Sequence, residues 1–163
     1  MRAGPVKAAV TGVTGQTGAH LAQLMLEEGW EVVGLTRPGR DVTPPWRLAA
    51  LGIAGRVRLM PCELTDPAAL ARVLAEEAPA RLYHLAAESS VAASFADPPG
   101  TVRANLLATT ALLEAAAGRD GIRVFNAASS DIFAAGPEPI REDSPMAPES
   151  PYAISKRAGV EMA

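Results

Sequence analysis

The chain has 163 residues, 15 basic and 18 acidic side chains, a formal net charge of −3, and is 48% apolar and 4% aromatic. That length suits one domain with a core of its own, and the mildly acidic balance excludes nucleic-acid or anionic-membrane binding as a main task. Cys62 is the only thiol, and His20 and His84 lie far apart without metal-ligand spacing, so neither a disulfide nor a metal site is expected. No stretch approaches the ~18 apolar residues of a membrane span and no signal peptide is visible; a reduced, soluble, cytoplasmic protein is the expectation.

In chain order, Val6 to Val13 is a short apolar run ended by glycine, which predicts a buried parallel strand. Gly15 to Glu28 carries apolar residues at helical spacing, with Gly29 as its stop. Glu31 to Leu35 predicts a second strand, broken by Arg37-Pro38-Gly39, and Pro44 to Leu51 a short helix or irregular crossover. Val57 to Met60 reads as a third strand. Asp66-Pro67 then offers a cap and a first-turn proline for a helix that Pro79 ends. Arg81 to Ala86 is a fourth strand, Pro98 to Ala117 a long helix and Ile122 to Ala127 a fifth strand. A Pro-rich acidic loop spans Gly136 to Pro148, and Ser150-Pro151 opens a last helix.

Strands alternating with helices imply right-handed crossovers and a doubly wound parallel sheet covered on both faces. The expected strand order is 3-2-1-4-5, in one Rossmann-type domain over residues 1–163. Such sheets usually hold six strands, and five are visible here.

Between the first strand and the first helix, Gly12, Gly15 and Gly18 form a Gly-x-x-Gly-x-x-Gly pattern. Glycine there permits a tight turn, lets backbone approach a pyrophosphate and packs helix against strand, while helix N-terminal amides face the phosphates. An ordinary glycine-rich turn is the competing reading. Past the second strand, Arg37 and Arg40 stand with no acid before Asp41. Arginine there accommodates a 2′-phosphate, so NADP is favoured and NAD is the alternative. Two solvated arginines compete with that reading.

Tyr152 and Lys156 are four residues apart, hence on one helical face. An ammonium beside a phenol favours the phenolate and suits it to proton transfer. A tyrosine at the core edge beside a solvated lysine is the plainer alternative. The fifth strand leads into Ser129, Ser130 and Asp131 at the end of the sheet where ligands bind. A serine hydroxyl there suits a substrate hydroxyl and a carboxylate suits a base, unless the cluster only satisfies the next turn. His84 reads as a core or edge residue and Cys62 as a packing residue.

These stretches resemble the extended short-chain dehydrogenase/reductase family and, within it, most of all the GDP-mannose 4,6-dehydratases. The likeness lies in Thr11 to Ala22, Leu64 to Asp66, Leu85 to Val91, Ser94-Phe95 with Pro98, Asn105, Ala127 to Phe133 and Ser150 to Lys156. The resemblance implies NADP-linked chemistry on a nucleotide sugar. Gln16, Thr17, Glu63, Leu64, Leu85 and Ala86 would join the glycines and arginines around the cofactor, and Ser89 and Ser129 would meet substrate. Tyr152 would deprotonate the sugar 4-hydroxyl, Lys156 would hold the ribose, and Asp131 would take the C5 proton before water leaves C6.

Some positions depart from that pattern. Asp131 is one methylene shorter than the usual Glu, Ser129 replaces Thr, Glu63 replaces Asp, Glu88 and Ser90 replace Gln and His, and Ala128 replaces Ser. The Tyr152 to Lys156 wording also resembles GDP-6-deoxy-4-keto-mannose reductases, which with the epimerases form the alternative reading. The family continues well beyond Lys156 into a sugar-nucleotide-binding part, so the expectation is a truncated, inactive piece that binds cofactor. An inert dinucleotide-binding module is the reading from another class. A homo-oligomer is expected from exposed apolar helix faces.

Overall fold

The computed structural model describes residues 5–39, 45–136 and 139–163. Five strands run β1 (Lys7–Thr11), β2 (Glu31–Thr36), β3 (Val57–Pro61), β4 (Arg81–His84) and β5 (Arg123–Asn126). They form one sheet in the order β3-β2-β1-β4-β5, every pair parallel, as the alternating pattern predicts. Central β1 is buried on both faces: Ala8 and Val10 enter one core and Ala9 the other. This continuous apolar run is what a doubly covered parallel sheet requires.

Helix α1 (Gln16–Glu27) and the short α2 (Trp46–Ala50) cover the first face, where Ala19, Ala22, Met25 and Leu48 meet Val10 and Val32. Helix α3 (Pro67–Glu77) and a long helix before β5 cover the second, where Leu70, Leu74 and Leu112 pack on Val33, Leu35 and Leu82. Asp66 caps α3 by accepting from Ala68 N and Ala69 N at 2.9 and 3.1 Å. Cys62 is buried in that second core. Burial and the carboxylates of Asp66 and Glu63 push its thiol pKa up, consistent with a packing residue.

The structure differs from the sequence reading in several places, and β5 is one residue shorter at each end than the expected Ile122 to Ala127. β1 ends at Thr11 because Gly12 turns the chain with φ +70°. β4 ends at His84 because the next two amides donate to a Thr11 side chain instead of continuing the strand. A six-residue helix, α4 (Val91–Ala96), precedes the long helix, with Ser90 Oγ accepting from Ala93 N at 3.1 Å. The long helix itself is α5 (Pro98–Val102), a π turn (Arg103–Leu107) and α6 (Ala108–Ala117). After β5 come a 3₁₀ turn (Ser130–Ile132), a bridge between Phe133 and Met146, and α7 (Pro151–Glu161).

Candidate active site

Parallel pairing brings the carboxyl ends of β1, β4 and β5 to one edge of the sheet, where side chains and loops rather than strand partners meet a ligand. The glycine turn lies at this edge. A Cβ on Gly12 would sit 2.8 Å from Ala86 N, so only glycine fits against the start of the β4 loop. A Cβ on Gly18 would run into the Gly12 carbonyl, so this glycine lets α1 close on the turn. Gly15 N donates to Gly12 O at 2.9 Å, and Gly15 is the N-cap of α1, which has no side-chain cap. Gln16 and Thr17 are exposed on its first turn. The cradle is backbone-lined where a Cβ would fill it and opens onto helix N-terminal amides, which fits a pyrophosphate.

Arg37 is exposed one residue beyond β2, and Arg40 lies outside the described residues. Glu63 follows β3, and its carboxylate accepts from Thr65 N at 3.2 Å and Thr65 Oγ1 at 2.9 Å; Leu64 packs against the core. Leu85 and Ala86 donate their amides to Thr11 Oγ1, each at 3.1 Å. Ser89 is exposed beyond them.

Helix α7 starts where Ser150 Oγ accepts from Ala153 N at 3.0 Å, so Ser150 is a cap as the Ser-Pro pair predicts. Tyr152, in the first turn, is 8% exposed. Lys156, one turn on, donates Nζ to Ala127 O at 2.8 Å, which ties α7 to the end of β5. Burial lowers the Lys156 pKa from its ordinary value. Asn126 Nδ2 adds a second tie, donating to Gly159 O at 3.2 Å.

Ser129 Oγ accepts from Asp131 N at 3.2 Å, and the Asp131 side chain lies in an exposed 3₁₀ turn. Among the described residues neither hydrogen-bonds to Tyr152 or Lys156. An open pocket of about 590 Å³ is lined by Ala128, Ser129, Ser130, Ile132, Phe133, Glu142, Met146 and Val160.

One residue of the site escaped assignment in the sequence. Asn105, 3% exposed in the π turn, accepts from Glu88 N at 2.8 Å and donates to Glu88 O at 3.1 Å. Its amide also donates to Ser155 Oγ at 3.0 Å, and Ser155 donates in turn to Tyr152 O at 2.7 Å. Asn105 therefore clamps the β4 loop to the first turns of α7. In the sequence Asn105 stands among the positions of the family resemblance, but with no role attached to it.

The profile of the GDP-mannose 4,6 dehydratase family matches residues 9–163. The chain belongs to that family. Relatives include a GDP-mannose 4,6-dehydratase of Sordaria araneosa, 38% identical over 160 residues, which cover 93% of this chain and 28% of the relative. GDP-mannose 4,6 dehydratase 1 of Arabidopsis thaliana is 38% identical over 164 residues, covering 93% and 45%. The human GDP-mannose 4,6 dehydratase is 31% identical over 158 residues, covering 91% and 42%. The chain thus spans less than half the length of these curated relatives.

Among solved structures, the UDP-glucose 4-epimerase of Bifidobacterium longum in complex with NAD⁺ and UDP superposes with a TM-score of 0.84 at 24% identity, over 96% of this chain and 48% of the epimerase. That likeness concerns the fold alone. MoeE5 in complex with UDP-glucose and NAD superposes with a TM-score of 0.79 at 29% identity, over 96% and 48%.

Proposed function

We propose that this chain binds NADP and supplies the proton-handling residues of a nucleotide-sugar 4,6-dehydratase acting on GDP-mannose. One observation carries the reading: Lys156 is held 2.8 Å from Ala127 O, so the Tyr152–Lys156 helix starts at the sheet edge that carries the Gly12 turn. Family membership and the dehydratase relatives support the substrate class. NAD in MoeE5, which is 29% identical, supports a dinucleotide, and Arg37 beyond β2 favours the 2′-phosphorylated form.

When bound, the nicotinamide supplies the hydride acceptor at sugar C4 and the hydride donor at C6. Gly12, Gly15 and Gly18 shape the turn for the pyrophosphate, with Gln16 and Thr17 beside it and Glu63, Leu64, Leu85 and Ala86 around the adenosine and the nearby chain. Tyr152 takes the proton of the sugar 4-hydroxyl, with Ser129 hydrogen-bonded to the same oxygen and Ser89 on the sugar. Lys156 holds the ribose and presents its charge to Tyr152. The Asp131 carboxylate takes the C5 proton and passes it to the C6 hydroxyl, which leaves as water. The site of action is cytoplasmic. No described helix is long and apolar enough to cross a membrane.

Isothermal titration of the 163-residue chain should show tighter binding of NADP than of NAD, a difference that Arg37→Ala erases. A preference for NAD removes the NADP assignment. In a protein of the relatives' full length, formation of 4-keto sugar from GDP-mannose should fall about 10²–10⁴-fold in Tyr152→Phe. The exposed, short Asp131 favours one competing outcome: reduction of a supplied 4-keto sugar without dehydration, which makes the protein a reductase.

A further inference from the structure

Two buried polar side chains at the sheet edge have no role in the chemistry above. Thr11 ends β1 and His84 ends β4, and the parallel register pairs them directly. They are 0% and 2% exposed. Thr11 Oγ1 lies 2.8 Å from His84 Nδ1 and also accepts from Leu85 N and Ala86 N.

The proton inventory fixes the direction of that bond. A hydroxyl has one proton to give and two lone pairs to share. Backbone amides only donate, so Leu85 and Ala86 occupy both lone pairs of Thr11. The one hydroxyl proton then goes to His84 Nδ1, which must carry no proton of its own. His84 is the neutral tautomer protonated at Nε2. Its surroundings agree, since burial and the nearby Lys156 ammonium lower the His84 pKa to about 4.

His84 is tied on its other side through the main chain. Its carbonyl accepts from Ala127 N at 3.1 Å, and the Ala127 carbonyl accepts from Lys156 Nζ. The amide of Ala86, held by Thr11, is the atom a Gly12 Cβ would strike. A single residue thus stands between the glycine turn and the carbonyl that holds Lys156.

We propose that His84 is a positioning residue for the dinucleotide: as a neutral Nδ1 acceptor it fixes Thr11 and so sets the spacing between the Gly12 turn and Lys156. This rests on the dinucleotide reading given above. A dinucleotide spans both points at once, whereas its adenosine half reaches the turn and the residues that follow β2, β3 and β4 but not Lys156. An error in spacing therefore weakens the whole cofactor and spares the half. A residue that merely fills the core would weaken both alike.

The test combines titration with a spectrum. His84→Leu should lower NADP affinity at least about tenfold, while affinity for 2′-phosphorylated ADP stays within about threefold. His84→Asn, whose amide oxygen can accept from Thr11, should keep NADP binding within about threefold of the unmodified chain. Nitrogen-15 spectra of the unmodified chain, with His20→Gln to assign the two imidazoles, should show His84 protonated at Nε2 alone at pH 7. This readout holds even if His84→Leu does not fold. A proton on Nδ1 overturns the inference, as does a His84→Leu chain that binds NADP normally or loses both nucleotides equally. If the unmodified chain binds neither nucleotide, the dinucleotide reading itself has failed and the inference goes with it.

Discussion

Burial disfavours the charged forms of both His84 and Lys156, and the consequence for stability has the same sign for each. For His84 the folded pKa of about 4 lies below the ordinary 6.5, so between those values the unfolded chain binds more protons. The contribution is complete above pH 6.5 and disappears as pH falls through 4; at about 1.4 kcal/mol per unit it amounts to at most about 3–4 kcal/mol. Urea unfolding at several pH values should show stability falling across that window, and His84→Asn should flatten the slope. An equal slope in both proteins refutes the assignment. Lys156 adds a rise in stability at alkaline pH as its lowered pKa is passed. At this scale the sequence shows what one helical turn fixes, namely the Tyr152–Lys156 spacing, and what glycine alone permits at Gly12. It does not show the Thr11–His84 bond, whose partners lie 73 positions apart and meet only through strand register.

Elements with their own punctuation were legible. Asp66-Pro67 and Ser150-Pro151 open α3 and α7 with side-chain caps, and Gly29 follows α1 with φ +82°. The illegible elements carry too little local signal. Helix α4 is six residues long, too short for a periodic pattern, and the π turn takes its shape beside bonds from Asn105 to Glu88 and Ser155. Asn105→Ala removes three hydrogen bonds at once and leaves the Glu88 amide without its acceptor. The expected loss is about 1–3 kcal/mol in chemical unfolding, with faster amide exchange at Glu88. Unchanged exchange at Glu88 means that the clamp is not what holds the loop.

Across the whole molecule, the strand order followed from the doubly wound arrangement that alternating strands and helices imply, and the two cores from apolar runs, so the sheet was readable before any contact was known. The far end of the sheet was not. There Glu77, with a 2% exposed side chain, lies 3.1 Å from Lys7 and 2.9 Å from Arg58, joining α3 to β1 and β3. The outer surface leaves Val102, Leu107, Ile154 and Met162 exposed on α5, the π turn, α7 and its end. Such apolar exposure favours self-association. Sedimentation equilibrium at tens of micromolar should find a dimer that Leu107→Glu with Ile154→Glu dissociates; a monomer in the unmodified chain refutes this.

The π turn at Arg103–Leu107 also governs which deletions the long helix can absorb. A π turn holds one residue more than the α-helical ladder around it, so removing one residue there leaves regular helix on both sides with their faces unmoved. Removing one residue inside α6 instead turns everything beyond it by about 100°. Deleting Glu114 would swing Ala115 and Ala116 out of the core, whereas deleting Leu107 would keep them there and sacrifice only the placement of Asn105. Shortened at Leu107, the chain should fold while its β4 loop comes loose from α7; shortened at Glu114, it should not fold. The turn marks a point where chain length and function can change separately.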